Sequence, residues 1–156
     1  MSISKTKACP ETSKSFPAQY KSLEQVRQFV AQQAEKCDFD DKEIFGITMA
    51  VDEAFTNIIN HAYMGECVEE IECTCFENEE GFTVRMIDSG RQFDPASIPA
   101  PDLESNLEDR AIGGLGVYFM RCYMDEVNFS VIPQPERGVT HNQLVMVKRR
   151  KTNHKP

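Results

Sequence analysis

The sequence predicts an α+β fold, a two-layer α/β sandwich with helices on one face of a mixed, mostly antiparallel sheet. Two observations support this fold class. Apolar residues recur at helical spacing in the first 63 residues, and the pattern then changes to the alternation typical of strands. The predicted elements are an edge strand at 14–20, helices at 22–36 and 41–63, strands at 66–76 and 82–88, a helix at 115–123, and strands at 126–132 and 143–149.

Length and composition are those of one globular domain. The chain has 156 residues, of which 40% are hydrophobic and 27% charged, and a domain of this size can build a core without disulfides or a structural metal. We therefore expect a single domain over 1–156, with a loose leader at 1–12 and a basic tail at 149–156. The tail is expected to be solvated, with contact to RNA or a membrane as the alternative.

Charge and hydropathy exclude two classes of function. The formal net charge is −8, which argues against direct nucleic-acid binding, because such proteins need a basic surface to displace counterions from phosphates. No run approaches the roughly 18–20 apolar residues of a membrane span. The N-terminus also lacks the apolar core of a signal peptide. These features predict a cytoplasmic protein that does not bind membranes.

The second helix has the clearest local signals. Asp40 and Glu43 have the spacing of a capping box, which predicts a helix start at about residue 41. The first helix is predicted from its amphipathic spacing alone. The apolar stripe of the second helix consists of Ile44, Ile47, Val51, Phe55, Ile58 and Ala62.

The cysteines show no regular framework spacing, in agreement with a cytoplasmic location. Cys73 and Cys75 are two residues apart on a predicted strand and face the same side as Ile71. We expect core thiols there and no metal site, because no second pair of cysteine or histidine residues supplies the remaining ligands. The six cysteines are Cys9, Cys37, Cys67, Cys73, Cys75 and Cys122.

Three short patterns bring chemically useful groups together. Glu53 and Asn57 are four residues apart and project from the same side of the second helix. Asp88 ends a strand, and Gly90 follows it, so that a carboxylate could accept a hydrogen bond from an exocyclic amino group of a flat ring. The segment 113–116, Gly-Gly-Leu-Gly, precedes a helix and could offer backbone amides to an anion. Singly, these patterns also suit a solvated helix face, an ordinary turn and a common helix entry.

Together, the patterns make the sequence recognisable. Residues 50–63 resemble the N-box of the GHKL (Bergerat-fold) ATPases, and 88–95 resemble their D-x-G-x-x-F-D-P box. Residues 114–120 resemble the second glycine box, and 124–127 match the segment that commonly follows it. The resemblance covers about 14–148 and is closest to the anti-sigma-factor serine kinases.

The resemblance implies a role for each residue in binding ATP and Mg²⁺. Asn57 would ligate Mg²⁺ through its amide oxygen, a hard donor for a hard cation. Glu53 would be the catalytic base for the attacking hydroxyl. Asp88 would accept a hydrogen bond from the adenine amino group, Gly90 would make room for the ring, and 89–113 would form the ATP lid. The residues expected to contact the nucleotide are Asn57, Asp88, Gly90, Phe93, Gly113, Gly114, Leu115, Gly116 and Thr140.

The sequence departs from the family pattern at two places. The family usually has a Gly-Thr-Thr-like turn before the last strand, where this chain has 138–142, Gly-Val-Thr-His-Asn. Thr140 is the expected support of Asp88, with Asn142 as the alternative register. The basic residue often found before the second glycine box is missing, and Arg110 is the nearest candidate. This loss bears on phosphate transfer more than on nucleotide binding.

The family resemblance implies a regulatory protein that sequesters a sigma factor. Such proteins also transfer the γ-phosphate of ATP to a serine of a STAS-type anti-sigma-factor antagonist. The alternative is an ATP-binding partner-switching module without productive kinase activity. A homodimer is among the expected assemblies.

Overall fold

The computed structural model describes residues 9–92, 114–134, 136 and 138–150. A 3₁₀ turn, Tyr20–Ser22, precedes the first helix, and one π-helical turn, Ile58–Ala62, directly follows the second. The helices are α1 (Leu23–Lys36), α2 (Asp41–Asn57) and α3 (Gly114–Tyr123), and the strands are β1 (Thr12–Pro17), β2 (Glu70–Asn78), β3 (Gly81–Asp88), β4 (Glu126–Gln134) and β5 (Val139–Lys148).

The five strands form one sheet in the order β1-β2-β3-β5-β4. Every pairing between neighbouring strands is antiparallel, so the sheet expected to be mixed is wholly antiparallel in the described part of the chain. The expected α+β class and the edge position of the first strand are confirmed. Short connections favour two of these antiparallel pairings, since β3 follows β2, and β5 follows β4, after only a few residues.

One hydrophobic core joins the helices to the sheet. Val30 of α1, Phe55 of α2 and Met120 of α3 are fully buried together with Val84 and Met146 of the two central strands. The capping box of α2 is present, because Glu43 N–H donates to Asp40 Oδ1 at 2.7 Å and Asp40 N–H donates to Glu43 Oε1 at 3.2 Å. The expected α2 therefore begins where the sequence placed it.

The cysteines divide into two kinds. Cys73 and Cys75 are buried thiols of β2, as expected. Cys9 and Cys37, by contrast, form a disulfide, although their spacing in the sequence gave no indication of a pair. Their Cα atoms lie 6.2 Å apart because the start of β1 passes the end of α1, and only the fold makes this distance visible.

The first two residues of the basic tail make ion pairs. Arg150 donates to both carboxylate oxygens of Glu77, and Arg149 lies 3.5 Å from Glu126. Both arginine side chains are nevertheless exposed to solvent, so these surface ion pairs do not contradict the expectation of solvated charges. Across the ranges described above, no helix combines the length and the apolar character that a membrane crossing requires.

Candidate functional site

A cavity of about 480 Å³ lies at the end of the sheet where β3 and β5 meet α2. This volume is in the range of small-molecule sites, which are mostly apolar with a few directed polar groups. The lining residues are Ala54, Asn57, Ile58, Asp88, Gln92, Met120, Phe129, Ser130, Val131, Asn142, Gln143 and Leu144. The structure thus brings the expected residues Asn57 and Asp88 into one cavity.

Asp88 presents a buried carboxylate to this cavity. The residue is only 4% exposed, and its Oδ1 accepts hydrogen bonds from Gly90 N–H at 2.9 Å and from Asn142 Nδ2 at 2.8 Å. Burial raises the pKa of Asp88 above its ordinary value, while these two hydrogen bonds act in the opposite direction. Because both bonds use Oδ1, the second oxygen of the carboxylate is not engaged by them.

The residue that supports Asp88 is Asn142 and not Thr140. Asp88 and Asn142 lie directly opposite each other in the β3–β5 register. The Asn142 amide also lies 3.2 Å from Gly90 O and 3.0 Å from Arg91 O. Thr140 is two residues earlier in β5 and accepts a hydrogen bond from Gln92 Nε2 at 2.9 Å instead. The strand pairing therefore supports the alternative register, in which Asn142 lies beside Asp88.

Asn57 is the last residue of α2, and its side-chain amide is the second polar group considered in this cavity. It is 5% exposed, and its Nδ2 has no hydrogen-bond partner among the residues that the structure describes. Buried amides are rarely left in this state, so an unpartnered amide that lines a cavity indicates a ligand. A side-chain amide also offers an oxygen donor, the type of ligand that Mg²⁺ prefers. The residues present therefore fit a site for a polar ligand with a hard cation.

Glu53 lies one helical turn before Asn57 and is half-buried. Burial raises the pKa of its carboxyl, and the negative charge of Asp52 raises it further. A carboxylate with a raised pKa is a better proton acceptor near neutral pH than an exposed one. Glu53 is outside the set of residues that line the cavity, so the expected base stands beside the cavity and not in its wall.

Gly90 is needed for a close backbone contact. A Cβ atom at this position would lie 2.6 Å from the carbonyl carbon and oxygen of Ala62 in the π-helical turn. Arg91 continues the contact, since its backbone N–H donates to Ala62 O at 2.8 Å. The glycine therefore lets the end of β3 pack on the turn that follows Asn57. The prediction that it also makes room for the adenine ring stays a prediction.

The second glycine box is described only in part. The backbone of α3 begins at Gly114, one residue earlier than expected, so Gly114, Leu115 and Gly116 form the first helical turn and do not precede the helix. Gly113 and Phe93 lie outside the described residues, as does the expected lid beyond Gln92. Contacts of these residues with a nucleotide stay predictions.

The apolar wall of the cavity was not anticipated from the sequence. Met120 of α3, Phe129 of β4 and Leu144 of β5 line it. Hydrophobic periodicity predicts only which side of an element is buried, and not which elements share a cavity wall. The pairing of β4 with β5, which sets Phe129 opposite Leu144, brings this wall together.

The chain is similar in sequence to a known domain family and to several named kinases. The model of the histidine kinase-like ATPase domain matches residues 16–148. The serine-protein kinase RsbW of Listeria monocytogenes serovar 1/2a is 34% identical over 98 residues, which are 60% of this chain and 62% of that protein. RsbW of Bacillus pumilus is 28% identical over 145 residues, or 89% of this chain and 87% of that protein. The serine/threonine-protein kinase BtrW of Bordetella bronchiseptica is 29% identical over 85 residues, 54% of this chain and 60% of that protein.

The matches to BtrW and to the Listeria protein span about three fifths of those relatives. Among solved structures, a chain of the SiaB–SiaC complex from Pseudomonas aeruginosa superposes with a TM-score of 0.57 at 15% identity, over 90% of this chain and 91% of that one. The RsbU and RsbW domains of a Mycobacterium tuberculosis protein give 0.55 at 15% identity, over 91% of this chain and 35% of that one. These likenesses confirm the fold. Since the family model matches most of the sequence, the chain belongs to the histidine kinase-like ATPase domain family.

Proposed function

We propose that this protein is an ATP-dependent serine kinase of the anti-sigma-factor type, acting in the cytoplasm. The observation that carries the proposal is a single cavity lined by the unpartnered amide of Asn57 and the buried carboxylate of Asp88. Glu53 stands one helical turn from Asn57. The relatives named serine-protein kinases support the same activity.

The end of the cavity at Asp88 is suited to adenine. A carboxylate accepts hydrogen bonds, so it recognises the amino group of adenine and disfavours the carbonyl that guanine has at the same position. Asn142 and Gly90 hold Oδ1 of Asp88 in place. The apolar side chains of Met120 and Leu144 supply apolar surface against which a base can pack.

Asn57 is suited to the cation that accompanies the phosphates. Bound ATP with Mg²⁺ would supply the γ-phosphoryl group and the charge compensation for its transfer. Asn57 would hold the cation through its amide oxygen. Glu53 would accept the proton of the incoming serine hydroxyl, and its raised pKa favours this role. The backbone amides of Gly114 and Gly116 at the start of α3 would bind phosphate oxygens.

The proposed protein substrate is a STAS-type anti-sigma-factor antagonist, and the proposed second partner is a sigma factor. The family resemblance points to both. A structural neighbour comes from a complex of two proteins, SiaB and SiaC, in agreement with a function that depends on a protein partner. Phosphorylation of the antagonist would weaken its binding, so the kinase activity would decide which partner is held.

The test is serine phosphorylation of STAS proteins from the same genome by this protein with Mg²⁺ and labelled ATP. We expect phosphoserine on one of them with the unmodified protein and with Glu24→Gln, a control at an exposed carboxylate of α1. Glu53→Gln should retain ATP binding and lose transfer. Normal transfer by Glu53→Gln would contradict the proposed base.

The same assay distinguishes this proposal from a second candidate, a partner-switching module that binds ATP without transferring phosphate. Its support is the missing basic residue before the second glycine box, where Arg110 is the nearest cation. Under this alternative, ATP changes the affinity for a partner while no phosphoserine forms on any STAS protein.

A further inference from the structure

Tyr63 is the first residue after the π-helical turn, and its side chain reaches the end of the sheet. Its hydroxyl oxygen accepts a hydrogen bond from Ser89 N–H at 2.9 Å and donates one to Glu70 O at 3.4 Å. The hydroxyl of Ser89 lies 3.3 Å away. Tyr63 is thus joined to β2 and to the residue that directly follows Asp88.

Tyr63 bridges Glu70 and Ser89, two residues that would face each other if the β2–β3 pairing continued. The last pair of the β2–β3 ladder is Glu72 with Ile87. Two residues farther along the same register, Glu70 would lie opposite Ser89. The tyrosine hydroxyl occupies this place and satisfies the N–H of one residue and the C=O of the other, as a direct ladder bond would. Tyr63 therefore ends the ladder beside Asp88 without leaving either backbone group unpaired.

After Ser89 the chain packs against the π-helical turn. Arg91 donates from its backbone N–H to Ala62 O and from Nε to His61 O, both at 2.8 Å. Gly90 packs directly on Ala62. These contacts attach residues 89–91 to residues 61–63. Asp88 therefore lies between the sheet and this attachment.

We propose that Tyr63 is a positioning residue for recognition of the base, because its hydroxyl fixes the point at which β3 leaves the sheet and hence the orientation of the Asp88 carboxylate. The inference rests on the proposed function of the cavity as an ATP site. Tyr63 does not line the cavity and acts only through Asp88.

The experiment compares binding of ATP with binding of purine riboside triphosphate, which lacks the amino group of adenine. We expect the unmodified protein to prefer ATP, and Tyr63→Phe to reduce this preference about 3- to 10-fold, as the loss of one hydrogen bond suggests. Tyr20→Phe is the matched control. The Tyr20 hydroxyl also bonds to this region, to Asn60 of the π-helical turn, but it does not reach the end of β3.

Amide hydrogen exchange provides a readout that does not depend on nucleotide. The Ser89 amide should exchange about 10-fold faster in Tyr63→Phe than in Tyr20→Phe, since only the first variant removes its acceptor. An unchanged Ser89 amide would overturn the bridging role, whether or not ATP binds.

The binding outcomes separate this inference from the proposed function. If Tyr63→Phe weakens ATP and the analogue equally, the tyrosine has a purely structural role and the inference is wrong, while the proposed function stands. If the unmodified protein binds neither nucleotide, the proposed function fails, and the inference fails with it.

Discussion

Asn142 donates a hydrogen bond to Asp88 Oδ1 at 2.8 Å from the directly opposite position of the neighbouring strand. The same amide lies 3.0 Å from Arg91 O, so one side chain holds both the carboxylate and the chain that leaves the strand. Because this donor is aimed at a buried carboxylate, its loss is expected to cost more than that of an ordinary surface hydrogen bond.

We therefore predict that Asn142→Ala weakens ATP binding about 10-fold or more, as measured by calorimetry. Thr140→Val is the control. The Thr140 hydroxyl bonds to Gln92 and not to Asp88 in the described part of the chain, so its replacement should change the affinity less than about 3-fold. A larger loss from Thr140→Val than from Asn142→Ala would show that the threonine supports Asp88 in solution.

The pH dependence of transfer should follow Glu53. Its pKa is raised by burial and by the charge of Asp52, and a base must be deprotonated to act. The rate should therefore fall as the pH drops through this raised pKa. Asp52→Asn removes the nearby negative charge and lowers the pKa of Glu53, so the acidic limb of the pH–rate profile should move to lower pH.

Asp41→Asn is the control for this pH profile. Asp41 lies on the same helix, about 18 Å away along the axis, where screening removes its effect. A profile that shifts equally in both variants, or that does not move in Asp52→Asn, would contradict the assignment of the acidic limb to Glu53.

The contact between Gly90 and Ala62 should make position 90 intolerant of any side chain. A Cβ atom there would approach backbone atoms at 2.6 Å, which cannot move aside as the end of a flexible side chain can. We predict that Gly90→Ala lowers the free energy of unfolding by about 2–3 kcal/mol in chemical denaturation.

Gly138→Ala separates this packing effect from backbone conformation. Gly138 has a φ of 65°, and a Cβ atom there would meet nothing within 4 Å, so its replacement should cost about 1 kcal/mol from conformation alone. If Gly90→Ala were no more destabilising than Gly138→Ala, the close contact with Ala62 would not exist in solution.

The Cys9–Cys37 disulfide should contribute measurably to thermal stability. It joins residues separated by 28 positions and encloses β1 and α1. A crosslink over such a loop is worth about 3–4 kcal/mol, or about 6–16 °C in melting temperature for a domain of this size. Cys9→Ser should therefore melt lower by that amount under oxidising conditions, whereas Cys122→Ser, at an exposed free thiol, should not. Equal melting temperatures would show that the bond does not form.

The sequence allowed much of the fold to be predicted, because local signals coincide with the final elements. The capping box at Asp40 and the apolar stripe locate α2, and the alternation in β2 identifies Cys73 and Cys75 as core residues. Because the sequence motifs fall on predicted elements, Asn57 could be placed on the second helix and Asp88 at the end of a strand. The structure places both residues in one cavity.

What could not be predicted depends on contacts between distant residues. The start of β5 was missed because 139–142 are mostly polar, and only pairing with β4 makes them a strand. Thr140 was preferred to Asn142 because it matches the Gly-Thr-Thr-like turn of the family, and only the β3–β5 pairing shows that Asn142 lies opposite Asp88. The π-helical turn after Asn57 has an apolar pattern compatible with an α-helix, and its bonds to Arg91 are tertiary.

The measurement that tests the central claim most directly is calorimetric titration of the protein with ATP and GTP in the presence of Mg²⁺. We predict that ATP binds and that GTP binds much more weakly, because Asp88 needs an amino donor. Asp88→Asn should be strongly impaired, whereas Asp125→Asn, an exposed carboxylate outside the cavity, should bind ATP normally. Equal affinity for ATP and GTP, or normal ATP binding by Asp88→Asn, would contradict the assignment of this cavity as an adenine-nucleotide site.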